Sequence, residues 1–330
     1  MDAIPKILIA FDLCNDYREE SNQVPVEVRN AIRLISNKQT AQIFLVGCGI
    51  EEHLGDSYSK LENEANANRK RFCKILEGRL QSIADNLITK GYRVTTTIIS
   101  THHPFAQVAQ LSEEFDADLV VQHVNARDAS KLRDAAYGSW QLARVCRRPL
   151  LFVRDSDWQE SPVIVTTSDS MPSYYSTTQG GSLSLYVTCH VKMKLRENLQ
   201  VVHAYSEFPW PFGNAKLLNK FLKRQHKKAF VELLAPFRVA SEAVHLLDQV
   251  PQYALSHYNE KLKPDIVIMN SDSRSRFIDA IIGNPTKGML DYLQTDLLII
   301  RRNYLNENAK KSIKNHFEQT CSGKMSLSER

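Results

Sequence analysis

Residues Asp265 to Arg301 read DIVIMNSDSRSRFIDAIIGNPTKGMLDYLQTDLLIIR, and their pattern decides the fold. A short apolar run, Ile266 to Met269, opens the stretch, and a second, Leu297 to Arg301, closes it. Between them lie a polar loop and then Met289, Leu290 and Leu293 at helical spacing. Strand, loop, helix and strand in this order make a βαβ unit, because parallel strands need a crossover connection. Such sheets bind ligands at the carboxyl ends of their strands, which here is the loop beginning at Asn270.

The pattern occurs twice. A shift of 147 residues lays Asp118 to Arg154 over Asp265 to Arg301 without a gap, with Asp118 on Asp265, Val120 on Val267, Leu150 on Leu297 and Arg154 on Arg301. A second match pairs two domain starts, Pro5 to Asp12 (PKILIAFD) with Pro162 to Asp169 (PVIVTTSD). Two copies of one α/β domain account for both matches.

Working outward, the chain in front of each βαβ ending fits the same plan. In the first copy, apolar runs at Lys6 to Phe11, Ala41 to Cys48, Arg93 to Ser100, Leu119 to Gln122 and Leu150 to Val153 predict five strands. Helical spacing of Val24, Val28, Ala31 and Ile35, and of Phe72, Leu76, Leu80, Ile83 and Leu87, supplies crossovers, and Gly91 stops the second of these. In the second copy, strands are expected at Val163 to Thr167, Leu199 to Ala204 and Ala243 to Leu247, ahead of the two in the quoted stretch. A helix near Ser182 to Leu195 and another with Leu217, Leu218, Phe221 and Leu222 turned inward connect them. The expected fold is thus α/β, two tandem domains over residues 1–155 and 162–304, each a five-stranded, mostly parallel sheet with helices on both faces. Residues 305–330 read as a polar C-terminal tail.

Composition bounds the function classes. A length of 330 residues, 43% apolar and 24% charged, is that of a soluble globular chain with room for two cores. The net charge of +5 permits anionic ligands but argues against nucleic acid, which needs a concentrated basic face. Six cysteines without a C-x-x-C pair read as reduced thiols, and no apolar run approaches the roughly 20 residues of a membrane span. Cytoplasm is the expected location, with no membrane partner. His102-His103 cannot easily chelate one ion, because neighbours on an extended chain point opposite ways. No metal site, nucleophile elbow or Ser-His-Asp arrangement can be argued from spacing.

Lys6 to Asp12 (KILIAFD), Leu199 to Tyr205 (LQVVHAY) and the quoted stretch together resemble the universal stress protein family, in its tandem-domain arrangement, from Lys6 to about Arg302. The resemblance implies stress response by a binding or regulatory protein without an identifiable catalytic centre. Nucleotide-binding members carry a glycine, two residues, a second glycine, nine residues, then glycine and Ser or Thr. Such glycines let backbone N–H groups approach phosphates. The second domain keeps the spacing but fills it with Asn270, Ser273, Gly283 and Asn284, so one glycine remains. In the first domain His123, Ala126 and Ala136 fall at the glycine places. Asp12, and less closely Asp169, match the carboxylate that lies beside adenine and ribose in family members that bind ATP. The implied site is therefore the second-domain cleft of Asp169, Asn270 and Gly283. The alternative function is ATP binding there with slow hydrolysis. Implied partners are a protein or small molecule, with the two domains pairing within the chain or a homodimer forming through last strands. The basic helix with Lys216, Lys220, Lys223, Arg224, Lys227 and Lys228 reads first as a solvated outer face and is the best candidate for a charged-partner surface, while the loop Phe208 to Phe212 reads as a cover for the cleft.

Overall fold

The computed structural model describes residues 6–12, 24–35, 37–50, 74, 77–101, 103–124, 141–168, 198–205, 215–234, 239–247, 261–271 and 295–301. The chain divides into two compact units, Asp2–Asp157 and Trp158–Arg330. In the first unit the elements are β1 (Lys6–Asp12), α1 (Val26–Ile32), β2 (Gln42–Ile50), α2 (residues 77–89), β3 (Arg93–Thr101), α3 (Pro104–Glu114), β4 (Leu119–His123), α4 (described at 141–145) and β5 (Leu150–Val153). In the second they are β6 (Val163–Ser168), β7 (Asn198–Ala204), α5 (Ala215–Leu234), β8 (Val244–Leu247), β9 (Ile266–Ser271) and β10 (Asp296–Arg301).

Both sheets are parallel. The first runs in the order β3-β2-β1-β4-β5 and the second in the order β8-β7-β6-β9-β10, the same winding in each. The fold is therefore α/β with tandem parallel sheets, as the repeat predicts. Ile7, Leu8, Ile9, Ala10 and Phe11 are all buried, as a parallel strand covered on both faces must be, which explains its unbroken apolar run. Val28, Ala31 and Ile35 of the α1 segment and Leu80 and Leu87 of α2 turn to the core as their spacing requires. Gly91 ends α2 at φ +90°, where Gly91 N–H donates to the Ile88 carbonyl and Tyr92 N–H to the Leu87 carbonyl. A Cβ at that φ would strain the turn, so glycine is the residue that lets α2 close this way.

The repeat extends to single hydrogen bonds. Asp118 N–H donates to the Lys6 carbonyl while its carboxylate accepts the Lys6 N–H at 3.0 Å. Asp265 N–H donates to the Val163 carbonyl, and its carboxylate accepts the Val163 N–H at 2.8 Å and the Gln159 N–H at 3.0 Å. Each carboxylate thereby fastens the start of β1 or β6 to the strand that will lie beside it. Two residues earlier, Asp116 (φ 55°) and Lys263 (φ 43°) both take the left-handed conformation, 147 positions apart. The carbonyl between them and the aspartate is satisfied in both units, by Arg148 on Ala117 at 3.2 Å and by the Thr295 hydroxyl on Pro264. Arg148 and Thr295 are again 147 positions apart, so position is kept and chemistry is exchanged.

Two expectations need correction. Strands β4 and β9 run further than their apolar runs suggest, through His123 and through Asn270 and Ser271. The neighbouring strands extend the ladder, with His123 opposite Val153, Asn270 opposite Ile300 and Ser271 opposite Arg301. Asn270, expected to begin the loop, is accordingly a strand residue. In α5 the expected inward face is wrong: Leu217, Leu218 and Phe221 are exposed, at 71, 43 and 56%. The buried residues are His226, Phe230 and Leu234, in an i, i+4 row that continues through the half-buried Leu222. A ring pair against β7 decides the rotation of the helix, and Leu217 and Phe221 lie on the other side. The expected helix near Ser182 to Leu195, the loop Phe208 to Phe212 and the tail fall outside the described residues.

Candidate functional site

The carboxyl ends of the strands are where this topology puts a ligand. In the first unit, Asp12 ends β1 opposite Cys48 of β2, and His123 ends β4. The His123 side chain is buried, and its Nε2 lies 3.0 Å from Oδ1 of Asp155, two residues past the end of β5. Val124 N–H donates to the Val153 carbonyl at 2.8 Å, holding the chain after β4 against β5. The first glycine place of the nucleotide pattern thus carries an imidazole turned toward a carboxylate. Ala126 and Ala136 lie outside the described residues.

In the second unit, Asn270 belongs to β9, with its backbone in register with Ile300. Asp169 follows the last residue of β6, Ser168. Asp169, Ser273, Gly283 and Asn284, as well as Arg274 and Arg276, lie outside the described residues. The structure therefore places Asn270 near the carboxyl end of β9.

What the sequence reading missed is a cluster of buried rings on β7 and α5. His203, in register with Ser168, faces His226 with Nε2 and Nδ1 2.9 Å apart. Tyr205 stacks on His226 with ring centres 4.9 Å apart, and Phe230 lies 5.1 Å from His203. Burial holds the His226 pKa below the usual imidazole value. Two neutral imidazoles can share one N–H between them; protonating both would oppose two donors and two charges. The available signal was a four-residue step, Leu222, His226, Phe230 and Leu234, on which His226 sits as an apolar neighbour would.

His245 of β8 makes a second polar contact, 2.6 Å from Oε1 of Gln200 on β7, with its pKa lowered by burial and then by Lys261. Among the described residues no group of three or more His, Cys, Asp or Glu is arranged to hold a metal. His103 precedes α3 and is exposed, while His102 lies outside the described residues. No helix among the described residues is long and apolar enough to cross a membrane.

No family model matches the chain. Universal stress protein E of Salmonella typhi is 22% identical over 246 residues, which is 72% of this chain and 78% of that protein. The protein of the same name in Escherichia coli K12 is 21% identical over 224 residues, covering 65% and 70%. The universal stress protein E homolog of Haemophilus influenzae is 24% identical over 198 residues, covering 57% and 63%. Among solved structures, a universal stress protein from Archaeoglobus fulgidus superimposes with a TM-score of 0.58 at 15% identity, over 90% of this chain and 96% of that one. A Pseudomonas aeruginosa structure described as a universal stress protein gives 0.65 at 15% identity, over 97% and 99%. With its doubled βαβ order, the chain is similar in sequence to proteins named universal stress protein E and in fold to universal stress protein structures.

Proposed function

We propose that this chain acts in the cytoplasm as a binding or regulatory protein of the stress response, with nucleotide loops that have lost their grip on phosphate. Its domains are taken as residues 1–155 and 162–304, followed by the tail 305–330. The observation that carries this reading is the buried His123–Asp155 contact at the end of β4. A glycine there would leave room for backbone N–H groups to reach a phosphate. An imidazole fills that room, and the carboxylate beside it repels an incoming polyanion. In the second domain the ligand site we infer is that of Asp169, Asn270, Ser273, Gly283 and Asn284, the residues that keep the spacing of the nucleotide pattern and its strand-end aspartate.

Calorimetric titration with ATP and Mg²⁺ tests the reading. No saturable heat is expected from wild type. Micromolar binding that disappears in Gly283→Trp would overturn it in favour of the second reading, an ATP-binding protein with slow hydrolysis. That alternative rests on Gly283, the one glycine of the pattern that the chain keeps. Micromolar binding that disappears in Asp12→Trp would overturn it for the first domain.

A further inference from the structure

Helix α5 has two finished faces. The row Leu222, His226, Phe230 and Leu234 meets its own domain. On the opposite side Leu217, Phe221, Arg224, Lys228 and Val231 succeed one another at steps of four, three, four and three residues, and all are exposed. Phe221 and Val231 are 56% and 55% exposed. Alternating steps of three and four are those of a seam between two packed helices. Every charge between Leu217 and Val231 is positive: Lys220, Lys223, Arg224, Lys227 and Lys228, with no carboxylate among them.

We propose that the outward face of α5 is a docking surface for an acidic amphipathic helix of a partner protein. Apolar side chains of the partner cover Leu217, Phe221 and Val231. Its carboxylates meet Arg224 in the middle of the row and Lys220 and Lys227 along one flank. Three occupants differ in how they treat the centre of the row. A lipid surface favours an apolar centre with cations at its edges, and here the cation Arg224 sits between Phe221 and Val231. A second copy of this helix would oppose like charges across the seam. An acidic helix pairs those charges and buries the apolar steps together. The surface lies on the face of α5 turned away from the ring cluster, so the inference does not rest on what fills the strand-end cleft.

The test uses the full chain and a labelled peptide of about 20 residues, matching α5 in length, with leucines at seam spacing and glutamates between them. Fluorescence anisotropy is expected to show saturable binding, weakened at least tenfold by Phe221→Glu and by the pair Lys220→Glu with Arg224→Glu. These residues are exposed, and unchanged far-ultraviolet circular dichroism and melting temperature are expected to show that the variants fold. Three results overturn the proposal: no saturable binding, binding that ignores Phe221→Glu and follows salt alone, or binding matched by a peptide of scrambled order. Anionic phosphatidylglycerol vesicles that bind the chain where the peptide does not would replace the partner with a membrane. Sedimentation showing a dimer that Phe221→Glu dissolves would replace it with a second copy.

Discussion

The end of β2 and the end of β7 are the same place in two copies of one domain. The match of Pro5–Asp12 with Pro162–Asp169 sets Phe11 on Ser168, and these pair with Gly47 and His203. Gly47, Cys48 and Gly49 in the first copy therefore answer to His203, Ala204 and Tyr205 in the second. One copy has two residues without side chains there, and the other has two rings packed on a helix. The strands beneath are in equivalent order and both run parallel. The difference teaches that the sheet tolerates large changes at its strand ends, because the strand-start aspartates and the apolar ladders hold it independently.

Phe152, among the largest fully buried side chains, answers to Ile299 in the second copy. Phe152→Ala is expected to cost about 3–5 kcal/mol by urea unfolding, against about 0.5–1.5 kcal/mol for Ile299→Val. Equal costs would deny that the first sheet depends on this ring. Asp265→Ala removes the acceptor of two backbone N–H groups and is expected to cost about 2–3 kcal/mol. Asp118→Ala should cost less, and a reversed order would break the equivalence of the two fasteners.

The ring cluster gives the second copy a pH dependence that the first lacks at the same place. The folded pKa of His226 is lowered by burial, so the unfolded chain takes up the proton first as the medium acidifies. The stabilisation is then fully present above the unfolded value of about 6.5 and is lost as pH falls from there toward the folded value. His245 contributes with the same sign. His226→Gln should flatten the slope of stability between about pH 5 and 7 in chemical unfolding; an unchanged slope would assign it elsewhere.

The smallest effect is the sharpest comparison. Lys263→Gly relieves a left-handed lysine and should stabilise by less than about 1 kcal/mol, since glycine also loses more backbone entropy on folding. Asp116→Gly should gain nothing, because Asp116 also accepts from Arg148 at 2.9 Å and pairs with Lys6 at 3.7 Å. Differential scanning calorimetry of the two variants decides it.

Sequence periodicity was enough for the strands, since a parallel strand buried on both sides writes itself as an unbroken apolar run. The helix α1 and the glycine stop of α2 were legible for a similar reason, each being local. The rotation of α5 was not. Leu217, Leu218, Phe221 and Leu222 form the apolar group nearest the start of the helix, and only contact with β7 shows that His226 and Phe230 belong to the core. A histidine in a row of apolar residues carries no mark of whether its nitrogen has found a partner. The ends of β4 and β9 were hidden because polar residues can finish a ladder when the neighbouring strand offers backbone partners. Of the site, Asp12 was legible as a strand-end residue, whereas Asn270 was read as the start of a loop and lies within β9, and the His123–Asp155 contact joins residues 32 positions apart.

Trp158 lies one residue beyond the first unit, is buried, and donates its indole N–H to Asp296 at 2.7 Å where β10 begins. An indole shielded from water emits at shorter wavelength than one in solvent. Melting of the second sheet would uncover this ring, giving the carboxyl-terminal half a native spectral gauge without an attached dye.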